Sequence, residues 1–320
     1  MNRAPEQALT PQWPAVRRGF GRQRKRRLFQ AGFFALFVLA PVLDIFRFDL
    51  TTTHFVFFGQ PWTLGIDAFM AGKIGAGEAA ANVILRGFLP LAAFVLAFGW
   101  VAWRWGRLYC GWLCPHFSVV ELVNGVMRRA IGKMSLWDRE RLPPYRPDGA
   151  PLPVDRRWRW LIGPVAVGFA FLWAVVLLTY LLPPAEVYGN LWRGTLTRNQ
   201  ALFIGVGTVL LSIEFLFARH LFCRFACAVG VFQSFVWMAN RKAMVVSFDR
   251  ANARRCQGCE SMCENECPMR LKPRSIKRRM FTCTECGRCL DACETVQGRR
   301  GQPSLLRWQQ GQDALQESDR

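Results

Sequence analysis

The chain has 320 residues, 52% of them hydrophobic and 13% aromatic, with 42 Lys+Arg against 22 Asp+Glu for a formal charge of +20. A charge of that size would suit a nucleic-acid binder, but the Arg residues gather beside long apolar runs, which marks segments retained on the cytoplasmic side of a membrane and excludes nucleic acid as the partner. The lipid bilayer is the expected first partner, and a basic face suits its anionic inner leaflet.

Residues 1–27 are polar and basic (Arg17, Arg18, Arg22, Arg24, Lys25, Arg26, Arg27) and are predicted to be a disordered cytoplasmic arm. Residues 28–46 form the first predicted span, with Pro41 near its far end. A signal peptide is the rival reading of this run, but no small-x-small cleavage site follows it. Export would also carry the Cys-rich end outside the cell. Residues 47–82 have few basic residues and are expected to be an external loop. The second span covers 83–103 and exits at Arg104 and Arg107, just before Cys110. Residues 116–159 are Arg-rich and should be cytoplasmic. The third span is 160–182, residues 183–200 form a short external loop, and the fourth span is 201–218, with Arg219 at its exit just before Cys223. Each run approaches the roughly 20 residues that cross a bilayer as a helix. Four spans place both termini in the cytoplasm, in a bacterial inner membrane. The fold class is thus an α-helical membrane protein of two repeated hairpins, with a small α+β ferredoxin-like domain that carries two clusters. The domains follow: the arm 1–27, a membrane domain 28–240, a ferredoxin-like domain 241–308 and a disordered tail 309–320.

The hairpins repeat in sequence. Arg107-Leu-Tyr-Cys110-Gly-Trp-Leu-Cys114 aligns with His220-Leu-Phe-Cys223-Arg-Phe-Ala-Cys227. Parallel repeats of this kind imply a pseudo-twofold axis along the membrane normal, which brings both Cys pairs to one depth at the cytoplasmic face. Pro115 disfavours helix at Cys114 and is well placed to open a new interfacial helix with Phe117, Val120, Val123 and Met127 on its apolar side. The two pairs are read as a redox station or a second metal site formed by Cys110, Cys114, Cys223 and Cys227. The bland alternative is small buried hydrophobes. Two further residues are candidates for proton or redox roles. His116 follows Cys114 by two residues. Glu214 lies inside the fourth span, where a carboxylate is a functional candidate; snorkelling, or pairing with Arg219, is its rival reading. His220 is a third candidate, as a ligand or proton carrier.

All twelve Cys fall into tight groups, which argues for metal ligation in a reducing compartment rather than disulfides. The strongest signal is Cys256-x2-Cys259-x3-Cys263-x3-Cys267-Pro268, followed by Cys283-x2-Cys286-x2-Cys289-x3-Cys293. In two-cluster ferredoxins, three close Cys hold one cluster and the distant fourth ligates the other. On that rule Cys256, Cys259, Cys263 and Cys293 hold the first [4Fe–4S] cluster, and Cys283, Cys286, Cys289 and Cys267 the second. Paired structural zinc sites are the rival reading of the same thiolates. Three residues rather than two separate Cys259 from Cys263, so the first loop must bulge.

This order of motifs resembles the membrane polyferredoxin family of NapH and the CcoG/FixG/RdxA proteins. It runs from a basic N-terminus through a hairpin, Tyr109-Cys-Gly-Trp-Leu-Cys-Pro115, a second hairpin, Phe222-Cys-Arg-Phe-Ala-Cys227 and two ferredoxin half-motifs. The resemblance covers residues 25–308. It implies membrane electron transfer through the two clusters, either as a quinol-dehydrogenase-like subunit feeding a redox partner protein or as a copper-handling, cupric-reductase-like factor in cytochrome oxidase assembly. Quinone and copper are therefore the further cofactors in question. The chain departs from the family pattern at Ala228, where the second Cys pair lacks a following Pro.

Overall fold

The computed structural model describes residues 20–318. Helix α1 is Phe20–Leu39. Residues 20–27, expected to be disordered, are thus its first two turns, while residues 1–19 of the predicted arm lie outside the described residues. Long-range partners order these turns. Arg22 reaches Asp291 at 2.5 Å, and Arg26, only 2% exposed, pairs with Glu121 at 2.7 Å. Pro41 follows the end of α1 and, lacking an amide, cannot continue it.

The predicted first span therefore stops seven residues short of Phe46. The chain turns instead into an antiparallel sheet, β1 (Phe46–Asp49), β2 (His54–Phe57) and β3 (Gln60–Trp62), in that order. Its register runs from Phe46 opposite Phe57 to Asp49 opposite His54, so aromatic side chains face one another across the strands. The segment read as an open external loop is thus largely structured. Three helices among the described residues are long and apolar enough to cross a membrane: α2 (Ala76–Trp105), α5 (Arg156–Thr179) and α7 (Arg198–Ala218). Between them lie α3 (Leu108–Trp112), α4 (Pro115–Ile131) and α6 (Pro184–Arg193). After α7 come a π-helical turn α8 (Phe222–Ala226) and α9 (Ala228–Ala239).

The repeats exchange their last helices. α4 belongs to the first repeat and packs on α5 of the second hairpin; α9 belongs to the second repeat and packs on α2 of the first. α5 presents the fully buried Ala166, Ala170 and Ala174 at four-residue spacing, and Gly207 of α7 sits so close that an added Cβ would stand 3.2 Å from that of Ala174. Small residues of this kind let spanning helices approach closely. α1 lies against α4 and α5, with Phe37 and Phe34 ring centroids 4.6 and 5.6 Å from Trp173. The outer surface of α2 is apolar and exposed, with Phe88, Phe94 and Leu96 all more than half accessible.

The Cys-rich segment is closed by a two-stranded antiparallel sheet of β4 (Val245–Phe248) and β5 (Leu306–Gln309), paired from Val245 opposite Gln309 to Phe248 opposite Leu306. Within it lie the short helix α10 (Met262–Asn265) and α11 (Arg288–Gly298). The tail also departs from expectation. Gln309 ends β5, and residues 311–318 are helical because Glu317, 2% exposed, receives both Arg250 nitrogens at 2.6 and 2.8 Å.

Candidate iron–sulfur centres and the membrane-face cysteines

The eight clustered Cys line two separate cavities in fours. One is bounded by Cys256, Cys259, Cys263 and Cys293, with Met262, Arg274 and Leu306 completing its wall. The other is bounded by Cys267, Cys283, Cys286 and Cys289, with Val246, Met269 and Met280. The sets cross between the half-motifs as the spacing rule requires: α11 carries Cys289 to one cavity and Cys293, one turn later, to the other. The extra residue in the first loop is absorbed by a bulge. Glu260 and Ser261 both adopt left-handed φ, 47° and 53°, directly before α10 delivers Cys263. Such backbone is costly for side chains other than Gly and Asn and is held by its surroundings.

Each cavity presents four thiols, the donor set that a [4Fe–4S] cluster takes. Among the described residues, no three His, Cys, Asp or Glu side chains converge on one metal position. The Cys instead ring a space, as ligands to separate corners of a cluster do. Backbone amides point at sulfur, Leu271 N to Cys267 and Leu305 N to Cys293, both at 3.4 Å, and such bonds tune cluster potential. Burial pushes the Cys263 thiol up to about 12 and Cys267 to about 11, and drives Cys283 and Cys289 well above the ordinary thiol range. Without a bound cation these groups stay protonated, so ligation itself must deprotonate them.

At the membrane face, the structure gathers Cys110, Cys114, Cys223 and Cys227 into one electrostatic neighbourhood, each thiol within range of the others. Cys114 caps α4 and Cys227 caps α9, so two helix N-termini point at the group. Pro115 opens α4 as expected, and Phe117, Val120, Val123 and Met127 are all buried. Two residues that the sequence reading missed complete the surroundings. Arg107, 1% exposed, donates from Nη2 to the Cys223 carbonyl at 2.6 Å, with its Nε and Nη1 left without hydrogen-bond partners. Gln233 donates from Nε2 to Cys110 Sγ at 3.3 Å. Burial pushes the Cys110, Cys114 and Cys223 thiols up, and the Arg107 guanidinium and Gln233 amide offset part of that at Cys110.

Glu214 faces His116, with Nε2 and Oε2 3.3 Å apart, and not Arg219. The imidazole is stacked on Phe215 with centroids 5.1 Å apart. Arg219 is fully buried and points to the Met127 sulfur. His220 is held well below its usual range, at about 4, by burial first and by the neighbouring Arg219 charge second, so it is neutral at physiological pH.

The membrane-face loop docks directly on the second Cys cavity. Gly111 touches Thr284 and Cys286, and Trp112 Nε1 donates to the Glu285 carbonyl at 3.0 Å. From α1, Gln23 Nε2 donates to the Cys286 carbonyl at 2.9 Å.

A sequence model described as a 4Fe-4S binding domain matches the chain twice, over residues 87–133 and 199–244. Those are the two repeats, each taking in one membrane-face Cys pair. The chain is 23% identical over 228 residues to the putative electron transport protein YccM of Escherichia coli, covering 71% of this chain and 57% of that one. It is 24% identical over 229 residues to the ferredoxin-type protein NapH of E. coli, covering 69% of each. It is 27% identical over 204 residues to the methylamine utilization ferredoxin-type protein MauN of Methylorubrum extorquens, covering 62% and 58%. The chain thus covers between about half and two thirds of the length of these three relatives. No solved structure matches it. The repeated 4Fe–4S binding domain and these relatives make the chain similar to ferredoxin-type iron–sulfur proteins such as NapH, and its apolar helices suit a membrane.

Proposed function

We propose that the protein is a membrane-bound electron-transfer subunit that draws electrons from quinol and passes them, through two [4Fe–4S] clusters, to a redox partner protein. The observation that carries this reading is the pair of cavities, each ringed by four Cys drawn from both half-motifs. Bound there, the clusters would supply one-electron transfer at potentials set by the surrounding protein. The chain's own residues do the rest. Cys256, Cys259, Cys263 and Cys293 hold the first cluster, and Cys267, Cys283, Cys286 and Cys289 the second. Leu271 and Leu305 amides stabilise charge on sulfur, while Met262, Met269, Met280 and Val246 exclude water. Cys110, Cys114, Cys223 and Cys227 form a second redox station at the membrane face, with the His116–Glu214 pair nearby to hold protons.

The proposed topology has four spans in a bacterial inner membrane, with α1 as the first and both termini cytoplasmic. The Arg-rich stretches at 17–27 and 128–159 and the cluster-bearing segment then share the cytoplasmic side. The test is anaerobic purification with iron and sulfide analysis and EPR. About eight of each per chain, with clusters that a quinol reduces, is the expected result. Stoichiometric zinc in place of iron would overturn it. Reduction of cupric ion without any response to quinol would replace it with copper handling.

A further inference from the structure

A cleft of about 900 Å³ opens between α1, α4 and α11, apart from the membrane-face Cys. Its volume is that of a small-molecule site. One end is apolar, walled by Ala31, Phe34 and Ala35 of α1, Leu122 of α4 and Phe169 of the spanning helix α5. The other end is polar and lies against the loop of the second cluster. There Glu121 is gripped by Arg26 at 2.7 and 2.8 Å and by Gln30 at 2.9 Å. Two bonds in this network are long: Arg288 to Glu121 and Gln30 to the Gly111 carbonyl, both 3.3 Å. Gln23, also in the wall, is hydrogen-bonded to the Cys286 carbonyl.

The balance of charge selects the occupant. Five guanidiniums (Arg26, Arg27, Arg129, Arg146 and Arg288) line the cleft with four carboxylates (Glu121, Asp148, Glu266 and Asp291), so the polar end is nearly neutral. An anionic phospholipid head would need an uncompensated cation cluster. A neutral head with two hydrogen-bonding oxygens and an apolar body fits instead.

We infer that this cleft binds the quinol, with its ring at Glu121, Gln30 and Arg288 beside the second cluster and its apolar side toward Phe34 and Phe169. The inference rests on the proposed quinol reading and assigns its site. A hydroxyl of the quinol donates to Glu121, and an oxygen of the quinone accepts from Gln30 or Arg288, replacing the two long bonds. Oxidation of one quinol breaks two O–H bonds. Clusters held by the Cys256, Cys259, Cys263, Cys293 and Cys267, Cys283, Cys286, Cys289 sets would, when oxidised, accept one electron each, and two protons leave to water at the open mouth.

Gly125 supplies the test, because it lines the cleft and an added Cβ there meets nothing within 4 Å. Gly125→Phe and, from the opposite wall, Ala31→Phe should fill the space without disturbing the ion pairs. The probe is the fluorescent quinol analogue 2-heptyl-4-hydroxyquinoline N-oxide, titrated into the anaerobic full-length holoprotein. Saturable quenching is expected for the wild type, weakened at least about tenfold in either Phe variant, with iron content and the EPR of dithionite-reduced protein unchanged. Gly125→Ala should bind as the wild type does. If both Phe variants bind the probe and are reduced by duroquinol as the wild type is, the cleft is not the site, though the quinol reading stands. If duroquinol fails to reduce wild-type clusters that dithionite reduces, the quinol reading itself falls, and the cleft assignment with it.

Discussion

Replacing Gly111 by Ala probes the contact between the membrane-face loop and the second cluster cavity. A Cβ at this position would fall inside van der Waals contact of the Thr284 carbonyl oxygen, 3.1 Å from its carbonyl carbon and 3.4 Å from the Cys286 amide. The obstacle is backbone, so no side chain can rotate away. Relief requires the loop that carries Cys283 and Cys286 to withdraw, or α3 to shift and loosen the Arg26 bond to the Gly111 carbonyl, now 2.9 Å. Overpacking against well-placed neighbours costs about 1–3 kcal/mol, and an immovable backbone puts this case in the upper half of that range. Gly125→Ala is the matched control, because the same atom meets nothing there, and in mid-helix it should be neutral or gain up to about 1 kcal/mol. The assay is thermal unfolding of the holoprotein in detergent beside EPR of its reduced clusters. Gly111→Ala should melt below Gly125→Ala and alter the signal of one cluster only. Equal melting and identical spectra would refute a tight dock between α3 and the cluster loop.

Cys286→Ser should leave about four of eight irons per chain and weaken retention of those that remain, because the ligand sets cross between half-motifs; iron analysis of anaerobic preparations decides it. Lys277 is 3% exposed and donates to the Trp237 and Asn240 carbonyls at 2.9 and 2.6 Å, and burial lowers it to about 8 from 10.5. The unfolded chain then holds this proton over a range where the native one has released it, so wild-type stability should rise relative to Lys277→Met between about pH 8 and 10.5. Denaturation across that window measures the slope, and parallel curves would contradict it. Reporter fusions after Gly72 and Gly194 should read as external and one after Asp249 as cytoplasmic; an external signal at Asp249 would invert the proposed topology.

What could be read from the sequence was whatever is local or periodic. Cys spacing groups the thiols as the two cavities do, and the extra residue before Cys263 coincides with the left-handed backbone at Glu260 and Ser261. The apolar face of α4 was likewise legible from its spacing. Long-range ion pairs were not. Arg22 and Arg26 looked like a solvated arm because their partners, Asp291 and Glu121, are distant in sequence. The tail looked disordered because the arginine that orders Glu317 precedes it by 67 residues. Glu214 and Arg219 do not pair: the backbone leaves the π-helical turn Glu214–Ala218 at Arg219 with φ of 37°, and the Arg219 side chain points to Met127. That frees Glu214 to meet His116, which the exchange of α4 onto α5 brings across. Nothing in the composition of α4 announces that exchange.

The exchange also explains why the two membrane-face Cys pairs lie near one another. Each pair sits where its own returning span meets a helix handed to the other repeat. Arg107 of the first repeat bonds the carbonyl of Cys223 in the second, and Gln233 of the second bonds the sulfur of Cys110 in the first. Neither pair is complete within its own repeat. The symmetry breaks most consequentially between the first and second Cys of each pair. Gly111 in the first repeat corresponds to Arg224 in the second, and the next residue is Trp112 in one and Phe225 in the other. Trp112 is bonded to the cluster loop, whereas Phe225 is 67% exposed. A side chain at position 111 would keep the loop at a distance, so its absence fixes which face of a nearly twofold surface the iron–sulfur segment can occupy. Through-protein electron transfer depends on such closeness. The glycine therefore makes the first repeat the one that meets the loop of the second Cys cavity, and leaves Phe225 of the second repeat exposed.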